Sequence, residues 1–426
     1  MRQALADQNL AGVLALLRST VGLTQQEMAD LVPGWTKTKV TRIESGERGT
    51  MYDIRELLAW ADAVCMPREA LLPLITGRPD ADLGVLPTPG DEMDRRTFNG
   101  ALAALSASAL LPGVFAAPER ISQAHITYLQ TCSDELWTRD WVVGGAALLR
   151  QAMRLLGQAR AMLDESDYTE RIGSDLLRVA ASIATCSSFL AFDAGQLALA
   201  RRIVQEAASL ADGSEDPALR AHAYATMALQ STALARMSGK KGPAREAQRA
   251  LRMAERAAKH HPSPRVHALI NMRKATANAL LNDETAARAA LLAAHDELDR
   301  GDHPDDPMPL AFVTRTEVLA HEGCVAADLG KPGKAVRLYT DVVTDPDLAP
   351  RNRVYYRATL AGKQLAADDV CGALTSGSTT LDEAEGTVAS PRSLNLLRPL
   401  AAHDSDFRER LATVAAKLSA TVPSSP

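Results

Sequence analysis

Five polar residues lie within one run of six, and their side chains could recognise DNA. They are Lys37, Thr38, Lys39, Thr41 and Arg42. All five side chains donate hydrogen bonds, and the three cations also attract phosphate. A helix through this run would turn Val40 and Ile43 inward, one turn apart, and leave the donors on its outer surface. A short polar helix with cationic ends fits the major groove and can reach the edges of bases.

The flanking residues predict two short helices joined by a tight corner, which would position these donors. Thr24 suits the N-cap of the first helix, and Glu27 three residues later completes a capping box. Thr36 suits the N-cap of the second helix, and Gly46 ends it. The alternative interpretation is an ordinary capped helix pair in an all-α core, with a solvated basic face.

Two segments of this region resemble the helix-turn-helix of the XRE family, the Cro and C1 repressor type. They are Gly-Leu-Thr-Gln-Gln-Glu-Met-Ala from residue 22 and Lys-Val-Thr-Arg-Ile-Glu-Ser-Gly-Glu-Arg from residue 39. The resemblance covers roughly residues 8–75. One departure is the corner at residues 31–35, which is about one residue longer than in the phage repressors.

The XRE resemblance implies a role for individual residues of the motif. Gln25 would bind a phosphate at the start of the first motif helix. The base-reading positions would be Lys37, Thr38 and Arg42, with Thr41 beside them. A buried ion pair would join Arg18, on the preceding helix, to Glu44 at the end of the recognition helix.

Composition restricts any DNA contact to a local patch. The chain has 426 residues, enough for two or three domains, and a net charge of -5, which excludes a basic nucleic-acid coat. Residues 1–78 carry almost no net charge, although Trp35 to Arg48 contains four cations and two anions. We therefore expect few phosphate contacts per protomer and a homodimer for useful affinity. Hydrophobic residues are 46% and aromatic residues 4%, a balance that favours closely packed helices.

Targeting and redox signals indicate a cytoplasmic protein. The five cysteines are scattered, odd in number and without a Cys-x-x-Cys pair, so we predict reduced thiols. The first ten residues do not form a secretion signal. Asp94 to Phe98 and the apolar run after it resemble a twin-arginine export signal, but a folded domain would precede it and Pro112-Gly113 interrupts it. We predict a docking helix there and no membrane association.

The predicted fold is all-α, with a small five-helix helix-turn-helix domain followed by an α-solenoid. We predict three segments: 1–78 as the DNA-binding domain, 79–118 as a linker with an apolar docking helix, and 119–420 as a domain of helix pairs that senses a signal, dimerises or does both. Long helices should begin near Glu119, Arg171, Pro217, Ser263, Pro309, Arg351 and Pro391. The later starts recur at roughly 40–48 residues, a period typical of helical repeats.

Small residues and one tyrosine recur at spacings that let paired helices approach closely. The clearest unit is Gly323, Ala326, Gly330, Ala335, Tyr339 and Val342, followed by Pro346. Weaker copies are Ser188, Ala191, Gly195, Ala200, Val204 and Ala207, and Thr276, Asn282, Ala287, Leu291 and Ala294. The spacing resembles the tetratricopeptide repeat over about residues 170–390. The alternative is an irregular helical array, and both describe an α-solenoid.

The concave face of such a solenoid is the predicted ligand groove. Its candidate residues are Tyr224, Gln230, Asn271, Arg273, Asn278, Arg315, Tyr355, Tyr356 and Arg357. Asn and Arg there could bind a peptide backbone or a carboxylate, whereas the alternative for each is a solvated side chain. The histidines lack a metal-binding spacing and no catalytic motif is present, so we predict neither a metal, a cofactor nor an enzyme.

These observations predict a sequence-specific DNA-binding transcriptional regulator. As a homodimer it would bind double-stranded DNA at a pseudo-palindromic operator. Proteins similar in architecture answer signalling peptides, so the resemblance implies a peptide or small-molecule signal in the repeat domain. The alternative is a protein-interaction scaffold in which both domains bind protein partners.

Overall fold

The computed structural model describes residues 10–20, 23–32, 34–46, 60, 117–386 and 388–419. Three predictions lie outside these residues: the helices between Asp53 and Ile75, the linker, and the apolar docking helix. The predicted domain boundary near residue 78 lies there too, and the one near residue 118 lies where the described residues resume; both stay predictions.

The described part of the chain is all-α, with seventeen α-helices and one isolated bridge between Arg120 and Asp167. The first three helices are α1 (Leu10–Thr20), α2 (Gln25–Leu31) and α3 (Lys37–Glu44). The next seven are α4 (Gln123–Val143), α5 (Gly145–Glu165), α6 (Glu170–Asp193), α7 (Leu197–Ser214), α8 (Pro217–Ser238), α9 (Lys241–Ala258) and α10 (Pro264–Leu280). The last seven are α11 (Glu284–Asp299), α12 (Arg315–Asp328), α13 (Pro332–Val343), α14 (Pro350–Ala366), α15 (Val370–Gly386), α16 (Pro391–Leu397) and α17 (Ser405–Ser419).

The predicted caps form the ends of α2 and α3. The Thr24 hydroxyl accepts a hydrogen bond from the Glu27 backbone N–H, and the Glu27 carboxylate accepts one from the Thr24 N–H at 2.7 Å. The Thr36 hydroxyl accepts from the Lys39 N–H in the same way. Gly46 follows α3 with a φ of 77°, a left-handed conformation that suits glycine because it lacks a Cβ. These local bonds explain why both helices start and stop where the sequence indicates.

The chain divides into two compact units. The first unit comprises Met1–Glu135 and Met153–Val179, and the second comprises Leu136–Ala152 and Ala180–Pro426. In the first unit, α3 packs on both α1 and α2. In the second unit, consecutive helices pack as pairs, α8 with α9, α10 with α11, α12 with α13 and α14 with α15. The first helices of successive pairs also pack side by side, α8 on α10 and α10 on α12, so the second unit is a stacked helical array.

Gly323 allows the close approach within the pair α12 and α13. A Cβ at this position would lie 2.9 Å from the ring atom Cε2 of Tyr339. Tyr339 is 3% exposed and fills the space below the glycine, as the spacing predicted. The other small or apolar positions of this unit, Ala326, Ala335 and Val342, are buried as well.

The three copies of the repeat pattern share one turn geometry. Gly195, Asn282 and Gly330 each lie in the turn between paired helices, with φ of 78°, 65° and 72°. Asparagine adopts this left-handed conformation more easily than most side chains, which explains its place in the second copy. The common turn indicates a repeating structure; the tetratricopeptide resemblance itself stays a prediction.

Most predicted helix starts lie within four residues of the observed ones, but the start near Pro309 is wrong. Pro309 lies in a short 3-10 helix, Met308–Leu310, and α12 begins at Arg315. Thr314 explains the difference because its hydroxyl caps α12 by accepting from the Glu317 backbone N–H. The Thr314 cap is visible in the sequence, whereas the predicted start was placed at a proline.

Helix α6 is, among the described helices, the one that is long and apolar enough to cross a membrane. Its most apolar stretch is 72% buried within the protein. That burial is typical of a core helix.

Candidate functional site

Helix α3 buries its apolar residues and exposes most of its donors. Val40 and Ile43 are buried, at 0% and 5% exposure. The side chains of Lys37, Thr38, Thr41 and Arg42 are exposed. Lys39 is half-buried, with its ammonium 5.5 Å from the centre of the Trp35 ring. The outer surface of α3 therefore carries hydroxyls and cations without a large apolar group.

The ion pair implied by the XRE resemblance is present and joins α1 to the end of α3. Arg18 Nε donates to Glu44 Oε1 at 2.6 Å, and Arg18 Nη2 donates to Glu44 Oε2 at 3.1 Å. Arg18 Nη1 donates to the Leu23 carbonyl at 2.8 Å, just before α2. One guanidinium thus connects α1, the start of α2 and the end of α3, and so sets the orientation of α3.

Gln25 bonds to the recognition helix in the structure. Its Nε2 donates to Glu44 Oε2 at 2.7 Å, and its Oε1 lies 2.9 Å from the hydroxyl of Thr41. The Thr41 hydroxyl also lies 3.0 Å from the Lys37 carbonyl, a second possible acceptor for its single hydrogen. Gln25 therefore holds α3 against the start of α2, a role that sequence reasoning did not assign to it.

The Glu44 carboxyl is ionised at neutral pH. Burial by itself raises the pKa of this group, but hydrogen bonds from Arg18 and Gln25 and the charge of Arg18 outweigh burial. The pKa of Glu44 is consequently lower than its ordinary value of 4.5. The charged form of the Arg18–Glu44 pair is thus the one that supports α3.

A comparison with protein families covers this region. A family model described as a helix-turn-helix domain matches residues 9–74. Within the matched range, the described helices α1, α2 and α3 form the helix-turn-helix. A comparison with curated proteins finds no match. The helix-turn-helix domain indicates a DNA-binding regulator, and α3 is its second motif helix.

The second unit contains a polar cavity, lined by the first helices of successive pairs. Its empty space is about 940 Å³, including the mouth that is open to solvent. Aromatic side chains form much of its wall, among them Trp137, Trp141, Phe189, Tyr355 and Tyr356. Below, "the polar cavity" refers to this space between α4, α6, α8, α10, α12, α13, α14 and α16.

Three arginines that line the polar cavity are each paired with an aspartate. Arg236 Nη2 lies 2.7 Å from Asp328, Arg351 Nη2 lies 2.8 Å from Asp140, and Arg392 Nε lies 3.1 Å from Asp193. Asp140 and Asp193 are fully buried, so their charges need these partners. The Arg392 guanidinium also lies 4.0 Å from the centre of the Tyr355 ring. These arginines therefore maintain the wall.

The structure brings together only some of the predicted groove residues. Arg273, Tyr355 and Tyr356 line the polar cavity. Tyr224, Asn271, Asn278 and Arg315 do not. Asn271 is two residues from Arg273, about 200° around α10, so the two side chains face opposite ways. Asn278, seven residues after Asn271, shares its face.

The remaining groove candidates form hydrogen bonds or ion pairs with other side chains of the second unit. The Tyr224 hydroxyl donates to Asp212, and Asn278 accepts from Gln248. Arg315 is exposed at the start of α12 and pairs with Asp299, and Arg357 pairs with Glu383. Gln230 is buried and donates to the Ser188 hydroxyl at 2.7 Å.

Sequence reasoning missed most of the cavity wall, although a signal was present. On α10 the lining residues are Leu269, Arg273 and Thr276, and on α12 they include Glu317, His321 and Cys324. Both sets follow the i, i+4, i+7 spacing of one helix face. Polar residues at that spacing in alanine-rich helices are a sequence signal for the helix faces that line the polar cavity.

Burial keeps the two histidines of the polar cavity neutral. Burial first, and then the nearby charge of Arg273, together lower the pKa of His222 to about 4. The pKa of His321 is held well below 6.5, again by burial first and then by the charges of Arg273 and Arg236. At neutral pH these imidazoles therefore act as hydrogen-bonding groups without charge.

Proposed function

We propose that this protein is a cytoplasmic, sequence-specific DNA-binding transcriptional regulator whose helical array dimerises, binds a peptide or small-molecule signal, or does both. The exposed donor face of α3 within a helix-turn-helix domain is the observation that supports this proposal most directly. The ion pair between Arg18 and Glu44 orients that face. We propose no catalytic activity.

In this proposal α3 enters the major groove. Lys37, Thr38 and Arg42 would reach base edges, and Thr41 would lie beside them. Lys39, whose ammonium lies 5.5 Å from the centre of the Trp35 ring, would contact a phosphate at the edge of the groove. Gln25 would contribute a phosphate contact from the start of α2, where the backbone N–H groups also favour an anion.

A homodimer would supply enough contacts for a stable complex. A single donor face neutralises few phosphates, so one protomer binds weakly at physiological salt. Two recognition helices about 34 Å apart would read a pseudo-palindromic operator in successive major grooves. A signal bound in the second unit could then change operator affinity only through its differential affinity for the DNA-competent arrangement.

The test measures binding of the full-length protein to specific and random DNA. Genome-wide mapping of bound DNA would first identify an operator. We expect Arg42→Ala and Lys37→Ala each to cost about 1–3 kcal/mol on the operator, about 5- to 150-fold in affinity, with a smaller loss on random DNA. Lys334→Ala removes an exposed lysine from α13, outside the helix-turn-helix domain, and is the matched control.

Two results would contradict the proposal that this protein is a DNA-binding regulator. One is a wild-type protein that shifts no DNA at any salt concentration that preserves the fold. The other is an operator affinity that Arg42→Ala and Lys37→Ala leave unchanged. Either result, together with capture of a defined protein partner by residues 9–74, would favour the interaction scaffold.

A further inference from the structure

Arg273 is the fourth arginine of the polar cavity, and its surroundings differ from those of the other three. Its side chain is 9% exposed and lines the cavity from α10. Its Nη1 lies 2.9 Å from His321 Nε2, and its Nε has no hydrogen-bond partner among the described residues. Arg236, Arg351 and Arg392 each have an aspartate within ion-pair distance. The charge of the Glu317 carboxylate acts on Arg273, but no described carboxylate lies within 4.0 Å of its guanidinium.

The partner of Arg273 is a neutral imidazole. His321 Nδ1 lies 3.1 Å from the Thr276 hydroxyl, whose own hydrogen can go to the Met272 carbonyl at 3.3 Å. This arrangement places the imidazole proton on Nδ1 and leaves Nε2 as the acceptor for Arg273. His321 therefore orients the guanidinium without neutralising its charge. Glu317 acts on this cation only from beyond ion-pair distance, so a carboxylate in contact with the guanidinium would stabilise it further.

Other polar groups of the cavity wall also have unused hydrogen-bonding capacity. Trp137 Nε1 and Glu317 Oε2 are buried and have no hydrogen-bond partner among the described residues. Trp137 also packs against His222, with ring centres 5.2 Å apart. Buried polar groups are normally bonded. A ligand with acceptor oxygens would complete the donors Trp137 Nε1 and Arg273 Nε, whereas Glu317 Oε2 is itself an acceptor and needs a donor.

We propose that the polar cavity binds a small aromatic carboxylic acid in its ionised form. The carboxylate pairs with Arg273, whose guanidinium can donate two parallel hydrogen bonds to it. The ring lies against the aromatic wall that includes Trp137, Phe189 and Tyr355. This inference rests on the proposed function, in which the second unit carries the signal, and it names the chemical class of that signal.

Size and charge favour a small acid over a peptide, a cationic ligand or a neutral ligand. The interior volume of about 90 Å³ is enough for a small molecule and too small for an extended peptide. A cationic ligand would pair with Glu317 but would offer no acceptor to the unpartnered donors of Arg273 and Trp137. A neutral ligand could fill the aromatic wall but would add no negative charge beside Arg273.

The experiment compares acids with their amides on the full-length protein. The probe pairs are benzoate and benzamide, indole-3-acetate and indole-3-acetamide, and 1-naphthaleneacetate and 1-naphthaleneacetamide. Binding is measured by calorimetry and by thermal stabilisation. We expect at least one acid to bind about 10- to 100-fold more tightly than its amide, since a charge-assisted pair is lost in the amide. The proposal is overturned if no acid binds more tightly than its amide, or if a phenylalanine-ended tripeptide binds more tightly than every acid.

Variants then assign the preference to Arg273. Arg273→Met should abolish the difference between acid and amide, and Arg273→Lys should retain part of it. Arg315→Met, which removes an exposed arginine outside the cavity, is the control and should leave the difference unchanged. An acid preference that survives in a folded Arg273→Met protein overturns the assignment.

A further variant covers the case in which Arg273→Met does not fold. Trp137→Phe retains an aromatic ring and removes the unpartnered N–H, so acid affinity should fall several-fold. An unchanged acid affinity in that variant would count against the site. None of these measurements uses DNA. If the protein binds operator DNA but does not bind acids more tightly than amides, only the proposed ligand class is refuted. If it binds acids more tightly but binds no operator DNA, only the proposed regulatory function is refuted.

Discussion

Replacing Glu44 by glutamine tests whether the ion pair with Arg18 holds the recognition helix in place. Glutamine has nearly the same shape but carries no charge. Glu44 accepts three hydrogen bonds, two from Arg18 and one from Gln25. In Glu44→Gln the guanidinium loses its counter-ion, and the link between α1 and the end of α3 weakens.

The structure sets the size of the effect. Breaking a fully buried ion pair costs about 3–5 kcal/mol. Here the Glu44 side chain is 9% exposed and that of Arg18 is 21% exposed, so solvent compensates part of the loss. We therefore expect a cost of about 1–3 kcal/mol, which corresponds to about 5- to 150-fold in the equilibrium for local opening of α3.

Hydrogen exchange of the full-length protein, followed by mass spectrometry, measures this opening directly. Amides of α3 should lose protection in Glu44→Gln, whereas those of α8 to α15 should not. Operator affinity should fall as well, because a displaced α3 no longer presents its donors. Asp302→Asn is the control, since Asp302 is 88% exposed in its pair with Arg265 and should change stability by less than about 0.5 kcal/mol.

The pH dependence gives a second measure of the same ion pair. The pKa of Glu44 is lower in the folded protein than its ordinary value of 4.5, so the carboxylate stabilises the fold above that pH. This contribution should disappear as the pH falls below 4.5 through the folded pKa, and Glu44→Gln should not show that part of the change. Unchanged α3 protection in Glu44→Gln at neutral pH would refute the reasoning.

Two further predictions concern the second unit. Gly323→Ala should destabilise it by about 1–3 kcal/mol, because the new Cβ would meet the buried Tyr339 ring at 2.9 Å. Gly333→Ala, whose Cβ would have no atom within 4 Å, should keep or raise the melting temperature, and equal effects of the two changes would contradict the packing argument. For His222, burial and then the charge of Arg273 lower the pKa from 6.5 to about 4, so its neutral ring stabilises the fold fully above pH 6.5. That contribution, up to about 3 kcal/mol, should be lost as the pH falls from 6.5 through about 4, and His222→Phe should melt with a weaker acid dependence than the wild type.

The helix-turn-helix domain was predictable because its determinants are close in sequence. Thr24 and Glu27 are three residues apart, and their two hydrogen bonds start α2 wherever the rest of the chain lies. The same holds for the turn residues Gly195, Asn282 and Gly330, whose backbone conformation depends mainly on local sterics. The site residues of α3 followed from this local pattern and from the XRE resemblance.

The polar cavity could not be predicted in the same way. Asp140 and Arg351 are 211 residues apart, and Asp193 and Arg392 are 199 apart, so no spacing in the sequence connects them. The sequence does not distinguish Arg273 from Asn271, Asn278 and Arg315 as groove candidates, because all four are polar residues on first helices. Only the packed helices show which face of each turns toward the empty space.

Local sequence is sufficient to predict the helices, their caps, their tight turns and the donor surface of α3, because each depends on side chains within one or two helical turns. Which charges meet depends on how the helices pack. Three cavity arginines received aspartates from distant helices, and Arg273 received a neutral histidine. The difference arises because ion pairing in a folded protein depends on distance in space, and packing brings together groups that the chain keeps far apart.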